Sequence, residues 1–195
     1  PGGSLVFKGG TLLANDPHAY DWWAWGSGIN WKTELSNKDK AQDFDQHPVV
    51  HVSWYDAKQF SKWAGMDLPS EAQWEYAAKL GKSKNKNNIN IWQGVFPKKN
   101  SKEDGFIKTN PVKHFDPNTL GLYDMAGNVW EHTATSSVPE VYFKVGGAFD
   151  SDTTQLKIGY TGFSLFNQVS NNTGFRCVAN LDYPSSPALG CMEEG

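Results

Sequence analysis

Apolar and polar positions follow a helical period in only two short stretches of this 195-residue chain. Ser53 stands before the first, Trp54–Trp63, where its hydroxyl suits an N-cap, and Tyr55, Phe60 and Trp63 are placed to share a buried stripe. Pro69 precedes the second. There Ser70 and Gln73 make a capping box, Trp74, Ala77 and Ala78 follow at helical spacing, and Gly81 closes the helix after Leu80. Elsewhere the pattern is one of turns. Residues 1–48 alternate glycines with aromatics (Trp22, Trp23, Trp25, Trp31) and predict short strands joined by long loops. Residues 47–52 read as a short extended run. The Asn- and Lys-rich residues 82–90 read as an exposed loop, and over 94–174 turns and short strands recur with no helix longer than a turn or two. No internal repeat or linker interrupts the chain before Leu181. We expect one domain over residues 1–180 and a tail over 181–195.

Nine Trp, eleven Phe and seven Tyr accompany nineteen Gly and ten Pro, which suits a loop-rich, aromatic-packed globule better than a helical bundle. A formal charge of −3 gives no general attraction to nucleic acid or anionic membranes. The basic run over 79–86 is spaced by Asn, Ser and Gly, as a solvated loop is. No apolar run approaches the ~20 residues of a helical membrane span. Neither nucleic acid nor membrane is expected as a partner. The chain begins at Pro1 without an apolar signal core, which reads as a mature or trimmed form. Asn171, Asn172 and Thr173 form an acceptor sequon, so Asn171 is a glycosylation candidate if the chain enters the secretory pathway.

His47 and His51 invite a metal. Four residues apart on an extended run they share a face, yet at about 3.3 Å of rise per residue they stand roughly 13 Å apart, too far to chelate one ion. A zinc or iron site would require the segment to be helical, which Pro48 and the neighbouring valines oppose. His132 reads as a packed or surface histidine. Ser151, flanked by Asp150 and Asp152, has no histidine close in sequence, so a turn residue is a better reading than a nucleophile.

Six segments then fall in order: HPVVHVSW at 47–54, LPSEAQWEYAA at 68–78, NIWQG at 90–94, EDGF at 103–106, GLYDMAGNVWE at 121–131 and GFRC at 174–177. Together they resemble the formylglycine-generating enzyme (sulfatase-modifying factor) family. The NIWQG and EDGF pair resembles its sulfatase-modifying branch more than the other enzymes built on that fold. The resemblance covers residues 1–180, without the opening strand-and-helix region of full family domains. The fold it implies is α+β, an irregular, loop-rich module related to C-type lectins with little regular secondary structure.

The resemblance also implies two structural calcium sites. One would use the Asn90 side chain, the Ile91 carbonyl, Asp104 and the Phe106 carbonyl. The other would use Asp124, the Gly127 and Val129 carbonyls and Glu131. Oxygen donors of this kind suit calcium. From the residues alone, Asp124 and Glu131 equally read as turn caps or as partners of a cation such as Arg176. The family's oxidation of a substrate cysteine uses two cysteines that hold copper(I) after a Gly-Gly-Ser-aromatic motif. Here that motif is Gly146, Gly147, Ala148, Phe149; the first cysteine falls on Ser151 and the second between Thr153 and Leu156. No cysteine precedes Cys177, and hard oxygen donors do not hold copper(I). The catalytic site therefore reads as degenerate at Ala148 and Ser151, and no copper is expected. Cys177 matches a family cysteine whose usual disulfide partner would fall on Ser61; Cys191 is a replacement candidate.

The expectation is a non-catalytic family member of the endoplasmic reticulum lumen or secreted space. It would bind sulfatases, an active family member or an extended peptide, with Trp130, Phe149 and Tyr160 lining the groove. The alternatives are an active formylglycine-generating oxidase and a lectin-like ligand-binding module.

Overall fold

Both helices expected from the periodic stretches are present in the computed structural model, which describes residues 2–9, 22–36, 44–80 and 89–179. They follow a single-turn-and-a-half helix: α1 (Trp31–Ser36), α2 (Trp54–Trp63) and α3 (Glu71–Leu80). Ser53 caps α2 as its spacing predicts, its Oγ accepting from Asp56 N while Ser53 N donates to the Asp56 carboxylate. Ser70 and Gln73 exchange the same pair of bonds at α3. Gly81 and residues 82–88 lie outside the described residues. Asn90, placed at the end of an exposed loop by composition, is instead buried.

The expected stripe of α2 is not the buried one. Tyr55, Phe60 and Trp63 are 55, 47 and 72% exposed, while Ala57 and Ser61 are fully buried. Ser61 Oγ donates to Ala57 O and lies 3.3 Å from Cys177 Sγ. Small side chains at i and i+4 let the helix approach that segment closely, and larger rings are excluded from the face.

Strands β1 (Gly3–Phe7) and β2 (Trp23–Ser27) form an antiparallel pair, as do the two-residue strands β3 (Gly94–Val95) and β4 (Lys99–Asn100). The main sheet contains β5 (Trp130–Val138), β6 (Val141–Val145), β7 (Gly162–Leu165) and β8 (Thr173–Phe175) in the order β7-β6-β5-β8, with β8 parallel to β5. Residues 47–52 enter no strand. His51 sits at φ 59, where its N–H donates to Ser170 O and its Nδ1 pairs with Ser4 Oγ.

Phe7, Trp92 and Phe149 make the aromatic core cluster, with Trp22 and Trp23 packed against it. Around it, loops are stitched by buried amides. Asn90 donates to Lys108 O and Asn110 Oδ1, Asn128 Oδ1 accepts from Asn110 N, and Asn118 Oδ1 accepts from Leu120 N and Leu122 N. A chain with so little ladder must satisfy its interior backbone groups with side chains, and these asparagines do so. The fold is α+β, irregular and loop-rich.

Candidate functional site

Residues 121–131 form a tight turn leading into β5. Asp124, Gly127 and Asn128 all have positive φ. A Cβ on Gly127 would stand 2.2 Å from Asn90 O, so only glycine fits. Gly127 N donates to Gly146 O and Asn128 N to Asn90 O, which ties the block to both flanking loops.

Glu131, 5% exposed, accepts from Trp74 Nε1 at 2.6 Å, Arg176 Nε at 2.5 Å and Arg176 Nη2 at 2.6 Å. Nη2 also donates to the carbonyls of Tyr123 and Asp124. Burial pulls the Arg176 pKa down, but the Glu131 carboxylate outweighs it and the guanidinium is held above its ordinary range. Burial raises the pKa of Asp124, against bonds from Lys113 N and the Asn110 side chain and the charge of Arg176.

The first oxygen set gathers around Asp104. Its carboxylate accepts from Ile91 N and Phe106 N. Burial raises its pKa in spite of those bonds, and no described cation forms a salt bridge with it. Both amide hydrogens of Asn90 are spent on protein acceptors, so of its side-chain atoms only Oδ1 could serve as a ligand. This donor set fits a hard cation: a half-buried carboxylate, an amide oxygen and neighbouring backbone carbonyls. The second set fits less well. Both oxygens of its buried carboxylate, Glu131, are engaged by Arg176, as in the cation-pair reading of Glu131. Among the described residues no three His, Cys, Asp or Glu side chains converge on one point. His47 Nδ1 pairs with Thr109 Oγ1 and His51 Nδ1 with Ser4 Oγ, each in its own place.

The loop after Gly147 is closed. Ser151, 1% exposed, accepts from Ala148 N through its Oγ, and its carbonyl accepts from Trp92 N. Both Asp150 oxygens accept from Asn172 Nδ2; burial raises the Asp150 pKa, with Asn172 and Lys144 opposing. Asp152 caps the next turn through Thr154 N and Gln155 N. This donor set does not fit copper(I): the hydroxyl at the position of the first cysteine is folded into a turn, and the loop holds no thiol.

Two expectations need correction, and a third falls partly outside the described residues. Phe149 is 1% and Trp130 4% exposed, so neither lines an open groove; Phe149 packs on Phe7 in the core. Only Tyr160, with its ring 6.1 Å from that of Trp130, reaches the surface. Asn171 is 3% exposed, accepts from Phe7 N and donates to Phe7 O, so its amide nitrogen is not presented for glycosylation. Cys177 is a free thiol beside Ser61; Cys191 lies outside the described residues.

Sequence reasoning missed the groove that the structure does offer. About 920 Å³ in volume, it is walled by Ile29, Val49, Val52, Phe60 and Phe175, with Asp56 and Arg176 among its polar lining. A second cavity of about 350 Å³ shares Val49, Phe175 and Arg176 with it and reaches Asp124 and Glu131. The exposure of Phe60, which a buried-stripe reading could not supply, is the signal that marks it.

Residues 7–181 match the model of the sulfatase-modifying factor enzyme 1-like domain. The chain is 34% identical over 199 residues to a formylglycine-generating enzyme of Streptomyces coelicolor, covering 86% of this chain and 63% of that protein. It is 38% identical over 177 residues to the inactive Cα-formylglycine-generating enzyme 2 of Mus musculus, covering 82% of this chain and 54% of that one. It thus spans less than two thirds of the length of either relative. Among solved structures, PvdO from Pseudomonas aeruginosa superposes with a TM-score of 0.58 at 23% identity, over 68% of this chain and 61% of that one, a likeness of fold.

Proposed function

Because the chain belongs to the family of the sulfatase-modifying factor enzyme 1-like domain, we propose that it is a non-catalytic, formylglycine-generating-enzyme-like binding protein. The observation that carries this reading is Ser151. At the position of the first copper-holding cysteine stands a hydroxyl, buried and bonded to Ala148 N, on a scaffold whose other segments match in order. Likeness to the inactive relative of Mus musculus supports it. Fold alone never implies turnover, and the chemistry of a site decides it.

The partner in this reading is a sulfatase, an active family member or an extended peptide of the secretory pathway, met in the lumen of the endoplasmic reticulum or after secretion. The groove beside Phe60 and Phe175 is the surface for it. An extended peptide lays alternate apolar side chains against Val49, Val52 and Phe60 while Asp56 and Arg176 orient its polar groups. Calcium at Asn90, Ile91, Asp104 and Phe106 is structural, neutralising the half-buried Asp104 carboxylate between loops.

The test uses a fluorescent peptide of the Cys-x-Pro-x-Arg pattern. We expect binding that survives replacement of the peptide cysteine by serine and weakens at least about ten-fold with Phe60→Asp, a loss of about 1.4 kcal/mol. Incubation with copper(I) and oxygen should produce no aldehyde on the peptide. Aldehyde formation, or binding that Phe60→Asp leaves unchanged, overturns the reading.

A further inference from the structure

A strand edge runs along the groove. In the parallel ladder of β8 with β5, Trp130 pairs with Thr173 and His132 with Phe175, and Trp130 N donates to Asn172 O. Backbone groups alternate in direction along a strand, so those of Asn172 and Gly174 turn toward β5 and those of Phe175 turn away. Val178 exchanges both of its backbone bonds with Asp67, which keeps the alternation and leaves the groups of Cys177 facing outward as well. No hydrogen bond joins the N–H or C=O of Phe175 or Cys177 to another described residue. Phe175, Arg176 and Cys177 all line the groove, although their side chains leave by opposite faces. The Phe175 ring lies 5.5 Å from that of Phe60 and Cys177 faces Ser61, whereas Arg176 turns to Glu131.

The two cavities flank that edge. The larger lies on the face of Phe60, the smaller takes in Tyr123, Asp124 and Glu131 on the face of Arg176, and both include Val49, Phe175 and Arg176. Side chains of a strand alternate between its faces. A polypeptide laid beside β8 therefore sends one side chain into the large apolar cavity and the next into the small one, where Leu122 and Val129 accompany Asp124. Unpaired edge groups are a template for a further strand. The opposite edge of the sheet, β7, lines neither cavity, so it has no such pair of pockets beside it.

We propose that the groove takes up an extended segment of another protein as an added strand of the main sheet, held by the backbone groups of Phe175 and Cys177. Its bulky apolar residues alternate with short polar ones. This rests on the reading of the groove as a peptide site and adds how the peptide is held. Main-chain bonds give affinity whatever the sequence, and the pockets select side chains. What is recognised is an unpaired strand.

The experiment follows amide hydrogen exchange of the full chain by NMR, alone and with a soluble peptide of about seven residues that alternates valine with serine. In the free protein, Phe175 and Cys177 should exchange at least about ten-fold faster than Gly174 and Arg176, whose N–H groups face β5. Saturating peptide should slow Phe175 and Cys177 at least about ten-fold and leave Gly174 unchanged. Two N-methylated peptides give a second readout. Methylating the alternate amides that face β8 should weaken binding at least about ten-fold, and methylating the other set less than about two-fold. Equal effects of the two sets, no binding at about 1 mM peptide, or binding without protection of Phe175 and Cys177 overturns the proposal. So does protection present before peptide is added: if it rises with protein concentration a second copy holds the edge, and if it does not, other residues of this chain do. Failure of the Cys-x-Pro-x-Arg peptide alone, with the alternating peptide bound in this pattern, removes the sulfatase-type partner and keeps the added strand.

Discussion

Ser61 lies on the buried face of α2 with its hydroxyl 3.3 Å from Cys177 Sγ, although 116 residues separate the two. The family resemblance predicts this neighbourhood; nothing in the local pattern of apolar residues does, because a serine flanked by Phe60 and Lys62 reads as a solvent-facing position. A thiol at Ser61 therefore has a partner in reach. In Ser61→Cys we expect a disulfide under oxidising conditions, detected as loss of free thiols and a mass lower by two hydrogens, with stabilisation of about 2–4 kcal/mol in urea. Two persistent free thiols at these positions would contradict the geometry. Arg176 and Glu131 belong to the same scale. Their pairing was one of two readings open to the sequence, and only the approach of β8 to β5 selects it. Asn171 carries the opposite lesson, since its sequon is legible at a glance but its amide is closed between the backbone groups of Phe7.

At the scale of elements, α2 and α3 were legible because their ends are marked by local chemistry. Ser53 with Asp56 and Ser70 with Gln73 satisfy orphan N–H groups within four residues of sequence. Which face each helix buries was not legible, because that depends on what packs against it. Strand β5 was similarly opaque. It begins with Trp130, Glu131, His132 and Thr133 all buried, a run with no alternation, because both faces of the strand are covered. His132 is completely buried, bonded through Nε2 to Val52 O, and its Nδ1 has no partner among the described residues. Burial first, and the Lys144 charge second, lower its pKa from 6.5 to about 4, with Val52 O and Asp56 opposing. A folded-state pKa below the unfolded one means that the unfolded chain takes up the proton first. The contribution is complete above about pH 6.5 and is lost as the pH falls toward 4, by about 3 kcal/mol in full. Between pH 7 and 4.5, wild type should lose more stability in urea than His132→Gln. The raised carboxyl pKa values of Asp104, Asp124 and Asp150 act in the other direction in both proteins and cancel in the comparison. Equal losses in the two proteins would show that His132 is not held neutral.

For the whole molecule, the question is what holds together loops that run through the interior with few ladders. Buried asparagines supply part of the answer, and the Asp104 donor set supplies the rest if it holds calcium. Adding calcium to chelator-treated protein should raise the melting temperature by several degrees. Asp104→Asn should abolish that rise, whereas Glu131→Gln, which weakens the Arg176 pair, should lower stability yet keep the rise. A rise that survives Asp104→Asn would place the ion elsewhere. The sequence by itself determined the scaffold: its helix caps, its turn glycines, the order of its segments and the lack of a thiol in the loop after Gly147 are covalent or local facts. Only the tertiary structure decided which side chains face each other. It put Ser61 under Cys177, Arg176 on Glu131, Phe149 in the core, Lys144 against Trp130 and the open groove at Phe60. Burial and pairing arise between segments distant in the chain, and their energies depend on the neighbours that folding brings into contact.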